Sequence, residues 1–344
     1  MKQGKFILSA DPSAAEAAAA FEDAAEAGPE AELRPFAIAP AQHGERLDRA
    51  LAVLVPEFSR SYLQQLIDAG AVTIHGVTAR RPSQRVKAGD AGVVELRPTP
   101  QSQAFRPEPI ELRVVFEDEH LLVIDKPPGL VVHPAPGNWS GTLLNGLLAR
   151  DAGAALLPRA GIVHRLDKDT SGLMVVARTR ATMDALVQRI AAREVTRQYV
   201  ALAHRPWRGP AVRRVEAPIG RDPRNRLRMA VVEGGKPAAT TFECLQACDQ
   251  GCWVQATLHT GRTHQIRVHM AHIGHPLVAD ELYGGAPIGG LQRQALHAWR
   301  LAFSHPVTAA PLEFQAPLPA DLAAALAAWT LRYNGREWLT SQVP

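Results

Sequence analysis

The sequence predicts an α+β fold, and three observations carry that expectation. From residue 110 onward, strand-like and helix-like segments alternate irregularly, which suits a sheet with helices packed on it rather than repeated βαβ units. Residues 43–97 carry two short helical stripes followed by short strands, a module of their own. Residues 161–178, GIVHRLDKDTSGLMVVAR, set two apolar runs too brief for helices around a polar loop, as at the lip of a sheet.

Taken in order, residues 1–38 are low-complexity Ala/Glu sequence with few large apolar side chains. Helix propensity alone does not hold such a segment in water, so a disordered or transiently helical tail is expected. In the module at 43–97, Leu47, Leu51, Leu54 and Val55 recur at helical spacing. A second helix is marked by Ser59 or Ser61 as its cap, by Leu63, Leu66 and Ile67 as its stripe, and by Gly70 as its stop. AVTIHG at 71–76 and GVVEL at 92–96 read as strands. Residues 98–109 are a Pro/Gln linker, and a larger domain spans 110–335. There, LRVVFED, HLLVIDKPPG, QYVALA, VQATL and LHAWRLAF are strands, while RATMDALVQRIAAREV carries a helix face of Met183, Leu186, Val187 and Ile190. ADLAAALAAW predicts a terminal helix.

Charge and cysteine content narrow the class. The chain carries a formal +4, but residues 11–32 hold seven acids and no Lys or Arg, so setting those charges aside leaves +11 on the remainder. A basic body of this kind favours a polyanionic partner. No apolar run approaches the length of a membrane span, and the first ten residues do not read as a signal or transit peptide. Cys244, Cys248 and Cys252 are an odd number without the paired CxxC form of a zinc site, so structural cysteines in a cytoplasmic protein are expected.

Chemistry concentrates in three segments. The loop from His164 to Gly172 gathers His164, Arg165, Asp167, Lys168, Asp169, Thr170 and Ser171, with Gly172 allowing a tight return into the next strand. Loops braced by strands are where catalytic groups tend to sit, although a salt-bridged turn explains this loop when it is taken alone. HTGRTHQIRVHMAHIGHPL at 259–277 predicts a helix capped by Thr263, with Ile266, Met270 and Ile273 inward and His264 and Arg267 on an adjoining face. Its five histidines lack an HExxH pair or a thiol ligand, so a basic helix face beside a cleft is expected and no metal. REVTRQYVALAH at 193–204 puts Tyr199 in a strand, where a tyrosine is most often core. Ten arginines from Arg197 to Arg262, most in loop-like stretches at 205–214 and 218–229, fit a groove that tracks phosphates.

These motifs carry a resemblance. RLDRAL (46–51), SRS (59–61) and AGAVTIHG (69–76) resemble the ribosomal protein S4-type RNA-binding domain, with His75-Gly76 where that family usually has Asn-Gly. VIDKPPGLVVHP, GTLLN, HRLDKDTSG, REVTRQYVAL, PIGRDPRNRLRM, TGRTHQIRVHMAHIGHPLVAD and LHAWRLAFSHP, in that order from 123 to 306, look like the large-subunit ribosomal RNA A/D family of pseudouridine synthases. The amino-terminal module points to the D-type subgroup, and the resemblance covers about residues 43–320. It implies a mixed, largely antiparallel-sheet catalytic domain behind a small S4-type domain.

It also implies roles. Asp167 is the expected catalytic aspartate for breaking the bond from uracil N1 to the ribose and re-forming it at C5, chemistry open to a carboxylate near a sugar. Arg267 is its expected partner, since a nearby guanidinium favours an ionised carboxylate. Tyr199 is expected against the target base, and Arg165 in the space vacated by a flipped uridine. Arg46, Arg60, Arg226 and His264 are expected RNA contacts, and Asp169 is expected to shape the loop. No hydride or phosphoryl group moves, so the expectation is no cofactor and no metal. The implied partner of a monomeric chain is RNA, in 23S rRNA or the pre-50S particle. The same reaction on tRNA, an N-glycosidase that would release free uracil, and a non-catalytic RNA-binding or ribosome-assembly protein are the alternatives. Asp167, Tyr199 and Arg267 together weigh against the last.

Overall fold

A computed structural model describes residues 32–96, 104–135, 137–225 and 227–331, and the chain divides into two compact units, Met1–Gln103 and Ala104–Pro344. In the first, β1 (Glu32–Ala37), β2 (Val72–Ile74), β3 (Val77–Ala79) and β4 (Ala91–Leu96) form an antiparallel sheet in the order β1-β4-β2-β3. Helices α1 (Leu47–Leu54) and α2 (Arg60–Asp68) contribute Leu47, Leu51, Leu63 and Ile67 to a core shared with Val72 and Val94. Ser59 caps α2 by accepting the Tyr62 N–H at 3.3 Å, one of the helix's otherwise unpaired donors. The β2–β3 hairpin turns on His75 (φ 49°) and Gly76 (φ 77°), the paired positive φ of a type I′ turn that Asn-Gly usually supplies. His75 is held there by Asp90, whose Oδ1 lies 3.1 Å from its Nε2.

The expected tail is corrected at its end. Residues 32–37 pair with β4 along its whole length, from Glu32 with Leu96 to Ala37 with Ala91, and Phe36 and Ile38 enter the core. A complete backbone ladder with two buried side chains docks a strand that composition alone would leave out. Residues 1–31, most of the expected tail, lie outside the described residues, as do residue 97 and 98–103 of the expected linker. The rest of that linker packs on the second unit, where the Asn145 amide donates to the carbonyls of Ala104 (3.2 Å) and Arg106 (2.8 Å).

The second unit is built on a nine-stranded sheet. Its strands are β5 (Arg113–Glu117), β6 (Leu121–Lys126), β7 (Ser171–Ala177), β8 (Thr196–His204), β9 (Val212–Glu216), β12 (Ala239–Ala247), β13 (Gly251–Leu258), β14 (Leu296–Ser304) and β15 (Pro311–Gln315). A separate ribbon pairs β10 (Ile219–Arg221) with β11 (Met229–Val231). The order is β5-β6-β7-β14-β8-β13-β12-β9 with β15 beside β14; only the β7–β14 contact is parallel, so the sheet is mixed and largely antiparallel. Both faces are covered, which is why its central strands read as continuous apolar runs. Side chains of one parity (Leu122, Met174, Tyr199, Ala201) meet α3 (Leu143–Arg150) and α5 (Gln265–His272). The other parity (Val123, Val175, Val200, Leu202) meets α4 (Arg180–Ala192) and α6 (Ala320–Ala328). On α4 the expected face is narrower than its spacing suggests: Leu186 is buried but Val187, 100° further round, is exposed.

Candidate active site

The loop 164–170 enters from Ile162, which bridges to Val176, and leaves into β7. Buried side chains from neighbouring segments fix its course. The buried Lys126 side chain donates Nζ to the carbonyls of Pro127 (2.7 Å), Leu130 (3.0 Å) and Lys168 (2.9 Å). Arg293, itself bidentate to Asp321, donates NH1 to the Asp169 carbonyl at 3.0 Å, and Gln294 donates to Thr170 Oγ1 at 3.2 Å. Gly172 (φ 113°) lies so close to β14 that a Cβ there would sit 2.2 Å from the Ala298 carbonyl oxygen. The stretch from Lys168 to Gly172 is thus clamped by Lys126, by Arg293 and Gln294, and by β14, and Asp167 stands immediately before it.

Asp167 Oδ2 accepts from Arg267 NH1 at 3.1 Å. Arg267 gives its other edge to Asp280, Nε to Oδ2 at 2.7 Å and NH2 to Oδ1 at 2.8 Å, a bidentate fork that fixes the guanidinium plane. Burial works against that charge, but the hydrogen bonds to Asp280 and the charges of both carboxylates outweigh it and hold the Arg267 pKa above the ordinary arginine value. The Tyr283 ring lies against the guanidinium, 5.0 Å from its carbon to the ring centroid. Asp167 Oδ1 has no hydrogen-bond donor among the described residues; His264 Nε2 stands 4.0 Å away, too far to donate. The helix α5 that carries Arg267 is not capped by Thr263. His264 occupies the cap in a left-handed conformation (φ 55°), pinned by its Nδ1 to the Tyr283 hydroxyl at 2.9 Å, while Gln265 closes the turn by accepting from Arg262 N–H and Thr260 Oγ1.

These groups line a cleft of about 850 Å³. Tyr199 is on its wall from the centre of β8, 5% exposed, with burial pushing its phenol up to about 12. Arg165 is exposed, borders the same cleft, and has no partner among the described residues. Among the described residues its lining holds six arginines and a single acid, Asp167. Its histidines add no charge near neutrality: burial with Arg159 and Arg165 pushes His133 down to about 4, and burial with Arg197 pushes His164 down to about 3. Burial, opposed by Asp167, likewise lowers His264.

Of the residues expected from the sequence, Asp167, Arg165, Tyr199, Arg267 and His264 converge on this one cleft. Arg226 lies outside the described residues. Arg46 and Arg60 belong to the first unit and spend Nε and NH2 on the fully buried Asp48, at 2.9–3.2 Å, with Gln64 as a further donor to it. Desolvation of Asp48 is outweighed by these donors, and its pKa falls well below the ordinary carboxylate range. Lys126, Asp280, Tyr283 and Arg293 were not anticipated. The one sequence signal for Lys126 is a lysine closing the apolar run of β6. The five histidines of 259–275 are dispersed: His269, for example, is tied to Thr240 Oγ1 and the Ala217 carbonyl. No group of metal-ligating side chains occurs among the described residues, and no described helix is long and apolar enough to cross a membrane.

Two family models match the chain, RNA pseudouridylate synthase at residues 120–272 and S4 domain at 45–91. Among curated relatives, the ribosomal large subunit pseudouridine synthase D of Neisseria meningitidis serogroup B is 47% identical over 293 residues, covering 81% of this chain and 77% of its own. The protein of the same name from Xanthomonas campestris pv. campestris is 47% identical over 303 residues, covering 84% and 90%. Human RNA pseudouridylate synthase domain containing 4 shares the fold, with a TM-score of 0.50 at 23% identity over 64% of this chain and 94% of its own. Identity of 47% over more than four fifths of this chain, together with both family models, shows that the chain belongs to the RNA pseudouridine synthase family.

Proposed function

We propose that this enzyme converts uridine to pseudouridine in structured large-subunit (23S) rRNA, with Asp167 as the catalytic carboxylate. The observation that carries the assignment is the asymmetry of Asp167: Oδ2 is anchored by Arg267, while Oδ1 is left without a donor in the cleft. In the reaction the N1–C1′ bond breaks, the base turns, C5 bonds to C1′, the C5 proton leaves and N1 regains one, so the RNA mass is unchanged. A fixed carboxylate serves as nucleophile or counter-charge to the cationic sugar and then as base. The uridine must leave its stack to reach it, at a cost of a few kcal/mol. Tyr199 offers the flipped base a flat apolar wall, and Arg165, two residues from Asp167 and free of any described partner, fills the space behind it. Arg46 and Arg60, each with NH1 free of any described partner, together with Arg226 and His264, are the further RNA contacts. The names of the relatives favour large-subunit rRNA over tRNA, on a free 23S strand or the pre-50S particle in the cytoplasm, bound by a monomer.

The test joins a point mutant to a map. Asp167→Asn preserves shape and removes the charge; it should bind substrate RNA with unchanged affinity and show no single-turnover conversion. Pseudouridines are then mapped in rRNA and tRNA from a strain lacking the gene. Loss confined to tRNA would overturn the substrate, and turnover by Asp167→Asn would overturn the residue.

A further inference from the structure

The cleft wall contains a buried cation with no counter-charge. Arg197, on β8 two residues before Tyr199, is 7% exposed, and its guanidinium makes no hydrogen bond or ion pair with any described residue. Its Nε is buried and unpartnered. The contrast with the chain's other buried arginines is sharp: Arg267 is paired with Asp280 and Asp167, and Arg293 with Asp321. Arg165 is also unpaired but stands in water, where an unpaired charge costs little. A buried one is retained only where something compensates it.

A second unsatisfied donor is near it. His164 Nε2 accepts the Val175 N–H at 3.1 Å, which assigns the ring proton to Nδ1. That Nδ1–H is also buried without a partner. Arg197 is close enough for its charge to depress the protonation of His164, and both side chains line the same cleft. Arg197 and Tyr199 lie on the same face of β8, about 7 Å apart along the strand. Opposite Arg197, Gly261 leaves it room: a Cβ there would come within 3.2 Å of NH1.

We propose that Arg197, with the nearby His164 Nδ1–H, seats a phosphodiester of the RNA strand next to the uridine that enters the cleft. The inference rests on the reading of this cleft as an RNA site and names one subsite within it. A uracil carbonyl would satisfy the donors but leave the charge; a phosphodiester satisfies both. The seat positions the strand and takes no part in the bond changes at Asp167.

The test uses the full chain and a uridine-bearing stem-loop RNA that the wild type converts. Affinity is measured against salt for wild type, Arg197→Met and Arg197→Lys. Losing one phosphate contact should weaken Arg197→Met binding about tenfold or more at low salt and flatten its log–log salt slope by about 0.7–0.9, with Arg197→Lys keeping the slope. The same RNA is then made with a single uncharged methylphosphonate at each linkage around the uridine in turn. One position should weaken wild type to the Arg197→Met level and leave Arg197→Met unaffected. An Arg197→Met enzyme with unchanged affinity and slope but reduced kcat overturns the proposal, as does a wild type indifferent to every methylphosphonate. The latter holds even if Arg197→Met does not fold. Failure of the wild type to bind any RNA would instead overturn the RNA reading of the cleft itself.

Discussion

Asp280→Asn would separate an Arg267 that is aimed at Asp167 from one that is merely near it. Arg267 makes two of its three hydrogen bonds to Asp280 (2.7 and 2.8 Å) and one to Asp167 (3.1 Å), and Asp280 is 2% exposed. Asparagine keeps one acceptor oxygen but turns an NH2 group toward a guanidinium N–H, so one bond is lost and the counter-charge disappears. Removing one partner of a buried pair costs about 3–5 kcal/mol. Asp167 still balances part of the charge, which places the expected loss near the lower end, about 3 kcal/mol. At roughly 2–4 °C per kcal/mol for a unit of this size, its thermal transition should fall by about 6–12 °C. The catalytic effect should be larger than the structural one at permissive temperature. With its fork unfixed, the guanidinium no longer holds Asp167 Oδ2 in place, and a displacement of about 1 Å at the reacting group can cost 10²-fold in rate. The assay is calorimetry, to follow the unit bearing the cleft, together with single-turnover conversion and RNA affinity at 20 °C. A variant melting within about 2 °C of wild type and retaining its kcat would show that Asp280 does not set the aim of Arg267.

Two further perturbations probe the loop clamp. Lys126→Met leaves the carbonyls of Pro127 and Leu130 without a described donor, while that of Lys168 keeps the Gly129 N–H, and should cost about 3 kcal/mol or more while slowing turnover, read by denaturant titration and single-turnover kinetics. Burial also pushes Lys126 from 10.5 down to about 7, so between those values the unfolded chain binds a proton the folded one does not. Wild type should therefore gain stability relative to Lys126→Met as pH rises from 7 to 10.5, and a flat difference would refute it. Gly172→Ala places a Cβ about 2.2 Å from the Ala298 carbonyl at a φ of 113°, which should part β7 from β14; a soluble variant with the wild-type proteolysis pattern would refute that reading.

How much of this could be read from the sequence depends on what each residue pairs with. Asp167 and Arg267, a hundred positions apart, were both legible because their segments are dense in chemistry and arranged as loop and helix. Lys126 and Arg293 were not, because the groups they hold on the loop are backbone carbonyls, which every position possesses and no side-chain pattern advertises. Arg46 and Arg60 were read as RNA contacts from the S4-type resemblance; the buried Asp48 they enclose sits between Leu47 and Arg49 on the first turn of α1, where an acid reads as an ordinary exposed helix residue. The strand β1 escaped notice for a related reason: its place depends on the ladder it forms with β4, more than fifty residues away, rather than on its own composition. Arg197 was counted among the basic residues, but its isolation is a fact of packing and has no sequence signature.

The division of labour among the charges of the cleft has a consequence for how it works. In the proposed reaction, a carboxylate acting on a ribose stands among the phosphates of its own substrate, and in a low-dielectric cleft that repulsion grows. Arginine offsets it here without competing for the same proton, since a guanidinium stays charged at any pH the protein meets. Histidine would not serve: held to about 4 and about 3, His133 and His164 are neutral whenever the enzyme is folded near neutrality. On the proposed reading, the positive potential that draws in RNA is therefore carried by the arginines, while Asp167 is left to change its bonding during the reaction. A site built with lysine and histidine in the same places would bind RNA and tune its chemistry with one shared variable. On the proposed reading this one keeps them separate: among the described residues Arg267 alone donates to the Asp167 carboxylate, and the other arginines are left for the strand.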